Sequence, residues 1–196
     1  EDGAIDLYLS NNIGEVILME NKKYPYYVQQ TVLATNPTAD FGDMGGYLSP
    51  VSFDVDKDGD VDLFIGLENG DILYMENTGN LKFTPHPGSY LSCATTICRT
   101  NPKNPFYFNN KNYMPPSQKH KKLCAFDANN DGKMDMYVGQ KDGTVRFFKN
   151  TGTNTNLEFT EQTGTNNPFD GVDVGSYASP AIMKLDDGVY HAFVGN

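Results

Sequence analysis

Apolar and polar positions alternate along this chain over short runs, and each run then breaks. Val61, Leu63 and Ile65 alternate with Asp62 and Phe64, and Ile72-Leu73-Tyr74-Met75 is a short run closed by Asn77-Thr78-Gly79. A period of two over four to six residues, punctuated by Gly, Asn and Asp, predicts short strands joined by turns. Strands are expected near 49–54, 61–66, 71–77 and 81–84. The run Leu81-Lys82-Phe83-Thr84 returns as Leu157-Glu158-Phe159-Thr160 and, more loosely, as Tyr26-Tyr27-Val28.

The whole pattern repeats. Ser49 to Gly66, followed by Asn69-Gly70-Asp71 and Asn77-Thr78-Gly79, has a second copy that runs from Phe126 through Asp135, Gly139 and Asp142-Gly143 to Asn150-Thr151-Gly152. Asp2 to Ser10 matches Asp58 to Gly66, and Ser179-Pro180 matches Ser49-Pro50. Ser10, Gly66, Gly139 and Gly195 lie 56, 73 and 56 residues apart, so a unit of about 56 residues carries 17 extra in the middle. Four short antiparallel strands per unit predict an all-β fold of β-propeller-type blades, about three plus a partial one. A tandem β-sandwich is the alternative. The chain reads as one repeat domain, 1–196, with units near 1–48, 49–121, 122–178 and 179–196 and an insertion at 93–121.

Each unit places carboxylates in the turn before its second strand. Asp54, Asp56, Asp58, Asp60 and Asp62 fall within nine residues, a density that repels itself unless a cation sits among them. All-oxygen donors select a hard ion, Ca²⁺ before Mg²⁺, and Gly59 allows the sharp turn. The expected ligands are the side chains of Asp54, Asp56, Asp58 and Asp62 with the carbonyl of Asp60. The second loop offers Asp127, Asn129, Asp131, the carbonyl of Lys133 and Asp135. A third, partial site keeps only Asp2, the carbonyl of Ala4 and Asp6. The fourth copy, Lys184-Leu185-Asp186-Asp187-Gly188, puts Lys where the first Asp belongs and is expected to hold no ion. An EF-hand is excluded, because its bidentate Glu at position twelve is replaced by Ile65 and Val138.

The motif Asp-x-Asp-x-Asp-Gly-x-x-Asp between strands, with a following Gly and an Asn-Thr-Gly turn, resembles the FG-GAP/VCBS repeat family. That family includes the calcium-bearing blades of integrin α-subunit propellers. The run Asn167 to Pro180 is similar to the family's entry into a new blade, and the likeness covers nearly the whole chain apart from about 93–121. It implies extracellular, calcium-stabilised propellers used in adhesion, matrix contact or carbohydrate binding.

Charge sharpens this picture. Fifteen Lys and Arg against 25 Asp and Glu give a net −10, which disfavours nucleic acid as a partner. Residues 77–126 hold seven cations and no acid, leaving eight cations against 25 acids elsewhere. Within that basic stretch Lys119, His120, Lys121 and Lys122 form a candidate patch for an anionic glycan or an acidic protein face. Tyr24, Tyr26, Tyr27, Phe106, Tyr107, Phe108 and Tyr113 are candidates for stacking on sugars or for blade packing. Cys93 and Cys98 are spaced for a loop disulfide in an oxidising compartment, with free thiols the alternative, and Cys124 falls on a strand position as a buried thiol. The one glycosylation-like triplet, Asn36-Pro37-Thr38, is blocked by its proline.

No run approaches the roughly 18 apolar residues of a membrane span. The chain lacks G-x-S-x-G, G-x-G-x-x-G, Walker and H-E-x-x-H motifs, and its acidic pairs are absorbed by the ion loops, so no enzyme is expected. The functional expectation is a non-enzymatic extracellular calcium-binding module with a protein or glycan partner. A structural subunit of a filament or lattice, and a lectin- or polysaccharide-lyase-type propeller, are the alternatives. Both ends fall inside a motif, which reads as a piece of a longer chain or as a subunit that associates heterologously with its own copies.

Overall fold

The computed structural model describes residues 6–22, 27–30, 38, 44–85, 104–106 and 119–196. Among these residues the regular structure is all-β, with a single 3-10 turn at Gly164–Asn166 and no α-helix. Four antiparallel sheets follow one another along the chain. The first contains β1 (Leu7–Ser10), β2 (Val16–Asn21) and β3 (Tyr27–Gln29). The second contains β4 (Ser49–Phe53), β5 (Asp62–Gly66), β6 (Ile72–Asn77) and β7 (Phe83–Pro85). The third contains β8 (Lys122–Phe126), β9 (Asp135–Gly139), β10 (Val145–Asn150) and β11 (Phe159–Gln162). The last is the pair β12 (Ser179–Lys184) and β13 (Tyr190–Gly195). Every sheet runs in sequence order, and the register repeats: Ser49 pairs with Gly66, Lys122 with Gly139, and Ser179 with Gly195.

The strand that alternation places at 81–84 begins instead at Phe83. Asn80 and Leu81 take left-handed φ values of 54° and 56° in a tight turn closed by the Thr78 and Lys82 backbones, which turns Leu81 out to solvent. A hydrophobic side chain is no guarantee of strand when a turn of fixed length must be completed first.

β5 and β9 are buried along their whole length because each lies in a sheet covered on both faces. Leu63 and Ile65 face the first sheet, packing with Val16, Leu48, Leu73 and Met75. Phe64 and Tyr74 face the third, packing with Phe106, Met136, Val138 and Phe148. Their rings stack, Phe53 on Phe64 at 5.2 Å and Phe64 on Tyr74 at 4.8 Å. Each such side chain contributes about 1.5–3 kcal/mol of burial, so these interfaces hold the sheets in register.

Neighbouring sheets also touch through backbone. A Cβ on Gly66 would lie 2.5 Å from the Lys121 carbonyl oxygen, and one on Gly139 would lie 1.9 Å from that of Ala178. At the matching place in the first sheet, Ser10 donates its hydroxyl to the Leu48 carbonyl at 2.8 Å. A second repeated clip closes each unit. Asn167 donates to the Val145 carbonyl and accepts from the Phe169 amide, while Asn104 makes the same pair of bonds to Ile72 and Phe106. Thr38 supplies the corresponding bond to Val16. The triplet Asn104-Pro105-Phe106, inside the basic stretch, therefore belongs to the repeating framework, with Phe106 buried between sheets.

Candidate metal centre

The two complete acidic loops share a framework of amide-to-carboxylate bonds. In the first, the Gly59 amide donates to Asp54 at 3.1 Å and the Asp60 amide to Asp58 at 2.8 Å. In the second, the Gly132 amide donates to Asp127 at 2.8 Å and the Lys133 amide to Asp131 at 2.9 Å. Lys57 and Asn130 are left-handed at equivalent places, and Gly59 and Gly132 have φ of 97° and 81°, which L side chains rarely adopt. These turns aim successive carboxylates inward. Asp54, Asp56 and Asp58 each bring an oxygen within 4.8 Å of the others, and Asp54 Oδ1 is buried with no hydrogen-bond donor. Among the described residues these donors fit an oxygen-seeking divalent ion, because a cation satisfies an acceptor that no protein N–H reaches. In the second loop Asn129 takes the middle position and donates to Asp131 at 2.9 Å, which holds the Asp131 carboxyl below its ordinary range.

The last Asp of each loop has a structural duty as well. Asp62, only 1% exposed, accepts the amides of Val55 and Asn77, and Asp135 accepts those of Ala128 and Asn150. Asp6 receives the Asn21 amide in the same way. Burial pushes the Asp62 carboxyl up to about 7; these N–H bonds oppose the shift, and the charges of Asp56 and Asp58 add to it. Burial likewise raises Asp135, and burial together with Asp58 and Asp54 raises Asp56. Without a positive ion the cluster strains against its own charge.

The asparagine of each Asn-Thr-Gly turn completes the clasp. Asn77 donates to the Val61 carbonyl and accepts from the Gly79 amide, and Asn150 repeats this with Met134 and Gly152. Sequence reading treated these residues as turn punctuation, although their fixed 15-residue distance from Asp62 and Asp135 was a usable signal. Lys133, assigned to the loop by its carbonyl, sends its ammonium away to the Gly152 carbonyl at 2.7 Å. Asp60 directs its carboxylate toward the Gly79 turn.

The remaining expected sites fare differently. Asp2, Ala4, Cys93 and Cys98 lie outside the described residues. Cys124 is a free thiol, half-buried rather than buried, and burial raises its pKa. The basic patch does not survive as four surface groups. Lys119 is exposed and Lys122 half-buried, but Lys121 is 0% exposed. It occupies the position of Leu48 and Ala178, one residue before the first strand of its sheet, and the pleat turns it into the interface with the second sheet.

His120 belongs to a feature that sequence reading missed. Tyr47, His120 and Tyr177 stand at one position in three successive units, all with left-handed φ of 53° to 57°. Their rings meet edge to face, Tyr47 to His120 at 4.8 Å and His120 to Tyr177 at 5.4 Å. The His120 and Tyr177 amides donate to the Glu68 and Lys141 carbonyls, fixing that bend. Tyr47 and Tyr177 remain 60% and 47% exposed. This row lies at the end of the sheets opposite the acidic loops, since β4 and β8 run from the rings to the loops.

No family model matches this chain, and no curated protein matches it. Among solved structures it is similar to an Agrocybe aegerita lectin, a structure described as the basis of specific recognition of non-reducing terminal N-acetylglucosamine. The TM-score is 0.46 and the identity 16%, over 96% of this chain and 43% of the lectin chain. The chain thus spans under half of that lectin's length.

Proposed function

We propose that this chain is a non-enzymatic, calcium-binding repeat module of the β-propeller type, working outside the cell in adhesion or in a surface structure. The observation that carries the reading is the convergence of Asp54, Asp56 and Asp58 around a buried oxygen that lacks a donor. The second loop, built with the same bonds, supports it. One Ca²⁺ per loop neutralises the crowded carboxylates and ties each inner hairpin to its Asn-Thr-Gly turn. Such modules bind at about 10⁻⁴ to 10⁻³ M, and an ion at a hundred times Kd stabilises the fold by about 2.7 kcal/mol per site. Thermal melts with calcium and with a chelator test this. The melting temperature rises with calcium; identical melts, with no calcium found by elemental analysis, would sink the proposal.

A carbohydrate-binding role is the second reading, and the exposed ring row Tyr47, His120 and Tyr177 favours it, since such rings offer flat apolar area with a polar tip. Self-association of copies is consistent with the uncovered sheet faces. Phe193 is 50% exposed where its counterpart Phe64 is wholly buried, and Leu7 and Leu9 are exposed where Leu63 and Ile65 are buried.

A further inference from the structure

We propose that the two acidic loops are unequal calcium sites, an inference that rests on the calcium reading: the first binds tightly, and the second binds weakly because it carries its own cations and hydrogen-bond donors. Residues 73 apart are equivalent in the two units, so Asp54, Asp58 and Asp62 answer to Asp127, Asp131 and Asp135. Around these shared carboxylates three equivalent pairs change charge in one direction. Asn129 stands for Asp56, Lys133 for Asp60 and Lys149 for Glu76. A fourth pair, Lys57 and Asn130, runs the other way in sequence but not in space. Lys57 extends its ammonium to the second loop, where a Cβ on Gly132 would lie 3.4 Å from Nζ. Asp56 therefore feels Asp58, Asp54 and Glu76, all of its own sign, whereas Asp131 feels Lys133 and Lys149. Calcium affinity follows the charge its ligands present, and crowded like charges favour the ion further.

The hydrogen bonds that the loops do not share point the same way. Asp54 Oδ2 accepts the Gly59 amide, while Oδ1 is buried with no donor. Both oxygens of Asp127 are satisfied, Oδ1 by the Asp131 amide at 3.1 Å and Oδ2 by the Gly132 amide at 2.8 Å. Asn129 closes the second loop more firmly, since its Oδ1 accepts the Asp131 amide at 3.0 Å and its Nδ2 donates to Asp131 Oδ2 at 2.9 Å. Those two bonds fix the orientation of the side-chain amide. Turned end for end, it would set NH₂ against N–H and carbonyl oxygen against carboxylate. The other Asp131 oxygen accepts the Lys133 amide. An ion entering the second loop must displace donors already in place. In the first loop it meets an oxygen that no N–H reaches.

The test is calorimetric titration of calcium chloride into the intact, chelator-treated chain. The wild type should show two steps whose Kd values differ by at least about tenfold. Asp58→Ala should remove the tight step and Asp131→Ala the weak one. Lys149→Glu touches no ligand, yet it should tighten the weak step by about three- to tenfold and leave the tight step unchanged. That gain should shrink in 1 M sodium chloride, where charges at this range are screened over about 3 Å. Asn129→Asp should tighten the same step, and Lys57→Gln should tighten the weak step more than the tight one. Two equal steps in the wild type would overturn the proposal while leaving both loops as calcium sites. Loss of the weak step in Asp58→Ala, or a weak step indifferent to Lys149→Glu, would also overturn it. A wild type that binds no calcium would sink the calcium reading itself, and this division with it.

Discussion

Replacing Lys121 with leucine should stabilise the protein. The lysine is wholly buried, and its pKa falls from an ordinary 10.5 to about 7, because burial penalises the charged form and Arg146 adds to the penalty. The unfolded chain holds the proton up to about 10.5, whereas the folded chain releases it near 7. Between those values the unfolded state binds more protons, so stability rises with pH across that window and is lowest below it. At 1.36 kcal/mol per pKa unit, the penalty at pH 7.5 is about 4 kcal/mol, an upper figure because relaxation relieves part of it. Lys121→Leu should therefore gain on the order of 2–4 kcal/mol in urea denaturation at that pH, with calcium present. Relative to the variant, the wild type should recover stability by up to about 1.4 kcal/mol per pH unit as pH climbs from 7 toward 10. A variant less stable than the wild type, or parallel pH profiles, would refute the reasoning.

Gly139→Ala should cost at least about 3 kcal/mol in the same assay, because its Cβ would run into the Ala178 backbone. Gly195→Ala, at the equivalent position with its nearest neighbour at 3.9 Å, should cost little. Asn77→Ala and Asn150→Ala should each lower stability by about 1–3 kcal/mol, since each strips two hydrogen bonds from a buried turn. Leu9→Ser together with Phe193→Ser should reduce any concentration-dependent association seen by sedimentation, and association unchanged by the pair would place the contact elsewhere.

Much of the fold was legible because it rests on local rules repeated at fixed distances. Period-two runs, Asn-Thr-Gly turns and the Asp-x-Asp-x-Asp-Gly spacing placed β4, β5 and β6, and the same signals placed β9 and β10, close to their observed limits. The acidic loops were legible for the same reason: alternate carboxylates ahead of a left-handed glycine converge through backbone geometry alone. What stayed hidden depends on what lies across a sheet interface. The lysine run 119–122 looks uniform as sequence, yet the pleat buries Lys121 and not its neighbours. Phe106 was open in sequence to sugar stacking or to blade packing, and only the Asn104 clip that folds it between sheets decides for packing. The ring row was hidden because His120 interrupts the tyrosines at 47 and 177, so the three have in common only a position and a left-handed backbone. The double role of Asp62 and Asp135 was missed because a carboxylate that can bind an ion looks the same in sequence as one that anchors a turn.

The central claim is that the acidic loops are calcium sites, and isothermal titration of calcium into the chelator-treated protein tests it most directly. Two ions should bind to the wild type, one to Asp58→Ala and one to Asp131→Ala, with His120→Ala retaining both. No heat of binding in the wild type, or an unchanged stoichiometry in both aspartate variants, would contradict it.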